Sequence, residues 1–201
     1  MSSRVAIFID GGYLDKIAEL EFGIYVDFQK IGDEIIKIMA KTTPDVELLR
    51  TFYYHCLPYQ SNPPTAEEAL RFSKKQSFLD SLSKIRRFTV RTGRLVFRGI
   101  DNKGKPIFEQ KRTDLMLGLD LALLSGKRQI SDIVCVAGDS DLLPAFKAAK
   151  EEGIAVWLFH GPRYSKVNGQ STYAQELWDV ADERPEIDLA FMKAVERARY
   201  I

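Results

Sequence analysis

Residues 132–141 read DIVCVAGDSD, and their reading decides the fold. An unbroken apolar run stops at Gly138 and is followed at once by two aspartates around a serine. Such a run, without alternation, predicts a strand buried on both faces, the kind that parallel sheets use, turning into a helix. Working outward, residues 154–159 (IAVWLF) and 4–9 (RVAIFI) have the same character, the second stopped by Asp10-Gly11-Gly12. Residues 48–56 are aromatic and β-branched enough for a further strand. Residues 88–98 alternate basic and apolar side chains, and 105–110 can return as a hairpin arm across the Asp101–Gly104 turn.

Helices are predicted between these strands. Ile31, Ile35, Ile36 and Met39 stand at three-to-four spacing, and residues 65–87 carry a stripe of Phe78, Leu79, Leu82 and Ile85. Thr113 or Asp114 is expected to cap a helix that Gly126 ends. Residues 138–141 open another helix that closes at Gly153; with Asp141 as its N-cap, Pro144 falls in the first turn. Residues 171–200 read as helical on either side of Pro185. Strand and helix alternate, so the expectation is an α/β protein with a doubly wound, mostly parallel sheet flanked by helices. We expect one domain over 1–201, with a core of about 4–160 and a C-terminal helical extension of about 171–201.

The bulk numbers exclude several classes. With 45% hydrophobic and 28% charged residues the chain has an ordinary globular composition. No apolar run approaches the roughly 20 residues of a membrane span. The apolar stretch before Asp10 is too short for a signal peptide, which points to the cytoplasm. Cys56 and Cys135 lie singly in strand-like runs and read as buried thiols in a reducing compartment. His55-Cys56 lacks partners for a zinc site, and no Gly-x-Ser-x-Gly turn supports serine catalysis by His55 or His160. Gly-x-Gly-x-x-Gly and Walker loops are absent, so nothing points to a nucleotide cofactor.

A net charge of +1 hides an asymmetry. Residues 71–112 hold 13 Lys/Arg against three acids, whereas the rest holds 16 basic and 25 acidic residues. One contiguous basic segment is what a polyanion-binding protein shows. Its other reading is a solvated helix face followed by an exposed strand whose charges discourage edge pairing. Arg91, Arg94 and Arg98 either project to one side of their strand or straddle it.

In parallel sheets the working site lies beyond the carboxyl ends of the strands, where their order reverses. Two apolar strands here run into aspartate: the first at Asp10, the other at Asp139 and Asp141. Asp114, at a predicted helix start, can reach the same rim. Each aspartate alone also reads as a strand end or a helix cap, but independent caps need not share one rim. Crowded carboxylates repel and need protons or a metal, and hard ions such as Mg²⁺ or Mn²⁺ suit an all-oxygen site. Such an ion can bind a phosphodiester oxygen and lower the pKa of a bound water. Asp120 lies about 120° around the helix from Asp114 and is a second-tier candidate.

Taken together, RVAIFIDGGYL, KRTDLMLGLDLALL and DIVCVAGDSDLLPAFKAAKEEGIAVWLF resemble the three signature blocks of the NYN domain, and more narrowly its LabA-like (DUF88) bacterial branch, related to the PIN nucleases. The blocks span most of residues 4–159, and AQELWDVADE is a weaker fourth match. The resemblance implies a PIN-like sheet and a Mg²⁺- or Mn²⁺-dependent ribonuclease site formed by Asp10, Asp114, Asp139 and Asp141. It also implies a phosphate contact from Lys111. The family often carries Asn in an Ile-Asp-Gly-x-Asn sequence; here Tyr13 stands in that place, a residue able to hydrogen-bond or stack on a base.

The expectation is therefore an endoribonuclease acting on single-stranded or structured RNA through a metal-bound water, with Arg91, Arg94, Arg98, Lys111 and Tyr13 contacting RNA. The alternatives are a non-catalytic RNA-binding module on the same scaffold and a hydrolase of small phosphate esters. Oligomeric state, monomer or homodimer, is not legible in the sequence.

Overall fold

Val5, Ala6, Ile7, Phe8 and Ile9 are all inaccessible to solvent, which only an interior strand covered on both faces allows. That strand is β1 (Arg4–Asp10). The structure, a computed structural model, describes residues 3–102, 104 and 106–198; the side chains at 106, 110 and 111 fall outside what it describes. Strands β2 (Glu47–Leu57) and β5 (Asp132–Val136) pair with β1 in parallel on its two sides. Beyond them lie β3 (Phe88–Ile100) on β2 and β6 (Ala155–Phe159) on β5, both parallel. β4 (Pro106–Lys111) returns antiparallel along β3, giving the order β4-β3-β2-β1-β5-β6. The chain winds out from β1 to β4 and then comes back to β5, so the order reverses between β1 and β5.

Alternation along β1 divides the core into two layers. Val5, Ile7 and Ile9 pack with Ile31, Ile35 and Met39 of α2 (Phe28–Met39) and with Leu79 and Leu82 of α3 (Ala66–Ser83). Ala6 and Phe8 pack with Leu117 and Leu121 of α4 (Thr113–Gly126) and with Phe146 and Ala149 of α5 (Leu143–Glu151). Between β1 and α2, a short α1 (Gly11–Lys16) runs into a π-helical stretch, Ile17–Phe22, closed by Gly23 in the left-handed region at φ 65°. The mostly parallel α/β sheet flanked by helices is thus the expected one.

Two local expectations are corrected. Neither Thr113 nor Asp114 caps α4: both lie inside its first turn, and the N-cap is Arg112 at φ 80° with no side-chain hydrogen bond. Gly126 is the last residue of α4, as expected, with Lys127 as the C-cap, and the left-handed turn beyond it is made by Arg128 at φ 52°. Before α5 the capping acid is Asp139 rather than Asp141. It opens a single 3-10 turn, Ser140–Leu142, and α5 follows with Pro144 in its first turn. Thr65 caps α3 in a reciprocal capping box with Glu68.

The C-terminal region is helical on either side of Pro185, as expected, but over shorter stretches. It has two short helices, α6 (Gln175–Val180) and α7 (Leu189–Ala194), whose Leu177, Phe191 and Met192 enter the core. Residues 182–187 run beside β6: Asp182 N donates to Val156 O (2.8 Å), Leu158 N to Glu183 O (2.9 Å) and Ile187 N to His160 O (2.7 Å). The expected helix to residue 200 ends earlier, and residues 199–201 lie outside the described residues. Among the described residues no helix is long and apolar enough to cross a membrane, and Cys56 and Cys135 are buried.

The turn after β1 admits no side chain at Gly11, where a Cβ would stand 2.4 Å from Cζ of the buried Tyr53 ring. Gly11→Ala should therefore destabilise the protein by about 1–3 kcal/mol, the usual cost of overpacking. Gly126→Ala, at a helical position with nothing within 4 Å, should be neutral or slightly stabilising. Thermal melts of the two variants check the pair.

Candidate active site

Helix α1 starts directly at the end of β1, so Asp10 serves as its N-cap. Asp10 Oδ1 accepts from Gly12 N (2.9 Å) and Tyr13 N (3.1 Å). On the other side of the switch point Asp139 does the same for the turn after β5, its Oδ1 accepting from Asp141 N (3.0 Å). In both residues these bonds use Oδ1 alone. Asp114 enters from α4, beneath the same rim.

Asp10, Asp114 and Asp139 line one cleft of about 610 Å³, together with Lys16, Ser140 and residues 171–174. Asp141 joins through a second groove that it shares with Asp114. All four expected acids therefore gather on one rim, and none has a salt-bridge partner among the described residues. The electrostatics reflect the crowding. Burial raises the Asp10 carboxyl above its ordinary range; the Tyr13 and Gly12 amides oppose this, and Asp114 adds to it. Burial also raises Asp114, followed by repulsion from Asp139 and then Asp141.

Tyr13 lines the cleft as expected, but its hydroxyl is committed. It accepts from Gly161 N (2.8 Å), and burial pushes its pKa up to about 12. Its ring lies over Gly138, where a Cβ would meet Tyr13 Cε2 and Thr172 O at 2.5 Å each. This tyrosine acts first as a brace between the turns after β1, β5 and β6.

The other candidates are dispersed. Asp120 stands apart from the acid cluster, accepting from Tyr54 Oη (2.8 Å) and Arg91 Nε (3.1 Å). Arg91 therefore leans on the α4 side of the sheet, while Arg94, three residues on, belongs to the opposite pleat. The arginines straddle their strand and form no single-sided track. Arg98 pairs with Glu109, and Arg94 is exposed. Lys111 lies on β4 opposite Arg94, and its side chain is outside the described residues. The sequence reading missed Lys16, Ser140 and the 171–174 segment. Lys16 ends the short helix that Asp10 caps, and its spacing alone did not single it out; nothing local marks 171–174, which reaches the cleft only through folding of the C-terminal region.

A mostly parallel sheet with a cleft at its switch point defines the class of open α/β proteins that bind their ligands at that rim. The chain belongs to the NYN-domain family, whose profile matches residues 4–184, and thereby to the PIN-like nucleases. No curated protein matches it. Among solved structures it is similar to a nicotinamidase from Staphylococcus aureus, at 15% identity over 92% of this chain and 99% of that one, with a TM-score of 0.31. It is also similar to an isochorismatase-like hydrolase from Alkaliphilus metalliredigens, at 12% identity over 97% of each chain and a TM-score of 0.35. At such scores neither likeness bears on what this chain does.

PIN-like nucleases generally use divalent metals. Among the described residues no three carboxylates are arranged to grasp an ion as they stand. Mg²⁺, however, keeps several waters and is commonly held by one or two carboxylates. Asp10 and Asp139 each leave Oδ2 outside the capping bonds, and the repulsion felt at Asp114 is what a cation relieves. The donor set fits a hard divalent ion.

A carboxyl raised above its unfolded value binds its proton more tightly when folded, so its contribution to stability falls as pH rises between the two values. Asp114→Asn should accordingly melt slightly above the unsubstituted protein at neutral pH without metal. The difference should vanish below about pH 4, where both forms are neutral. Adding Mg²⁺ or Mn²⁺ should raise the melting temperature of the wild type more than that of the variant. Melts across pH, with and without metal, check both.

Proposed function

We propose that this protein is a LabA-like, divalent-metal-dependent endoribonuclease that hydrolyses RNA phosphodiester bonds, with Mg²⁺ or Mn²⁺ as its cofactor. The observation that carries this reading is the gathering of Asp10, Asp114 and Asp139 around one cleft, with Asp141 in the adjoining groove that it shares with Asp114, and with no cation paired to any of them among the described residues. Oδ2 of Asp10 and of Asp139, with the Asp114 and Asp141 carboxylates, would hold the ion. When bound, the ion supplies positive charge at the phosphoryl oxygens and makes a water more acidic.

The protein's own part is positioning. The α1 and 3-10 N-termini fix the two capping aspartates, so their free oxygens stay in place while substrate enters. Lys16 at the cleft wall can neutralise a neighbouring phosphate of the strand. Lys111 and Arg94, on the basic hairpin, are further candidates for phosphate contacts. No side-chain nucleophile is required.

A second reading, a non-catalytic RNA-binding module, draws on the same carboxylates: as placed, no three of them close on an ion. Cleavage of a labelled single-stranded RNA with Mn²⁺, Mg²⁺ or EDTA separates the two. Wild type should cut only with metal, and Asp139→Asn should lower the rate at least about 100-fold, the loss of a few kcal/mol of charge stabilisation. The asparagine can still cap, so circular dichroism should be unchanged. If neither protein cuts varied RNAs yet both bind them at low salt, the binding-module reading replaces this one.

A further inference from the structure

Helix α1 has a cleft on each side. Lys16 lines the acidic one, whereas its neighbour Asp15 lines a second cleft of about 510 Å³ between the α1 region and α3. Both open at the carboxyl ends of the strands: Pro58, just past the end of β2, also lines the second. A single narrow helix thus separates the second cleft from the four aspartates.

The second cleft has a different chemistry. Its floor is apolar, formed by Ile24, Phe28 and Phe78, and Tyr25 stands at its edge with 71% of its surface exposed. Arg71, Lys74 and Lys75 of α3 and Arg197 supply four cations; the carboxylates present are Asp15 and Glu19. Asp15 is already engaged, 3.0 Å from His55 Nε2 and 3.5 Å from Lys75 Nζ. This fixes Lys75 in the wall and leaves the exposed Arg71 and Lys74 as an excess of positive charge facing a flat aromatic. An aromatic beside an apolar floor and phosphate-binding cations is how proteins take hold of unpaired nucleotides. A flat ring suits a base face, and the cations suit the backbone on either side of it.

We propose that this second cleft is a nucleotide subsite for single-stranded RNA, with a base stacked on Tyr25 and neighbouring phosphates held by Arg71 and Lys74. The strand then crosses α1 to present its next phosphodiester to the aspartates. The inference rests on the ribonuclease reading for its substrate. It assigns to α3 and to the loop that follows the π-helical stretch a role in binding that the β3 arginines, two of them paired to acids, do not fill.

The test measures binding of a labelled single-stranded RNA by fluorescence anisotropy, in EDTA so that nothing is cut, over a range of salt. Tyr25→Ala should weaken binding by about tenfold or more, the worth of one stacked base. Tyr25→Phe, which keeps the ring, should bind as the wild type does. Arg71→Ala with Lys74→Ala should flatten the log–log salt dependence by about 1.4, the slope expected for two single-strand phosphates. These residues are exposed, and melting curves report whether the variants fold.

If the wild type binds RNA and the variants bind it equally well, the subsite is wrong and the ribonuclease reading stands. If the wild type binds no RNA at any salt, that reading falls and the subsite with it. Equal losses for Tyr25→Ala and Tyr25→Phe would also overturn the stacking, because the ring would then play no part.

Discussion

Tyr13 touches three turns at once. Its ring occupies the space that Gly138 leaves open after β5, its hydroxyl accepts from Gly161 N after β6, and its own backbone amide donates to Asp10 at the end of β1. These three turns carry or border the acidic cleft. A ring that fits only against glycine locks them to one another, because neither partner can shift without a clash or a lost hydrogen bond. Tyr53 acts similarly against Gly11 from β2. The glycines around the aspartates are thus needed less for backbone freedom than for room, and the position of the carboxylates follows from where these two rings can lie.

The same geometry explains how the crowding is tolerated. Asp10 and Asp139 each spend one oxygen on the amides that open a helical turn, where partial positive charge offsets their own. Asp114 stands inside the first turn of α4 rather than at its cap, and feels repulsion from its neighbours. A site that accepts such repulsion departs from what stability alone would choose, and departures of this kind gather where a protein has work to do.

Much of this was legible in the sequence. Unbroken apolar runs bounded by turn signals read as buried strands, so β1, β5 and β6 and the rim at their carboxyl ends could be read directly, with the aspartates that follow β1 and β5. Amphipathic spacing gave α2 and α3. Less visible was anything decided by non-local partners. Helical spacing already turned Asp120 about 120° from Asp114, but its partners Tyr54 and Arg91 are non-local, and no local pattern shows them. Arginines at 91, 94 and 98 look like a track until the pleat places 91 and 94 on opposite sides. Glycine at 126 does close α4, but the left-handed turn is taken two residues later by Arg128. Residues 171–174 reach the cleft because α6 and α7 dock on the core, a tertiary event with no signature of its own.

The two edges of the sheet are finished differently. Along β6, residues 182–187 occupy the outer hydrogen-bonding groups, while beyond β4 no strand follows among the described residues. An unpaired strand edge is a template for another chain. The tail thus guards one flank against aggregation, and if a foreign strand is to add to this sheet it must do so beside the basic hairpin, whose charge would turn away a similarly charged copy of itself.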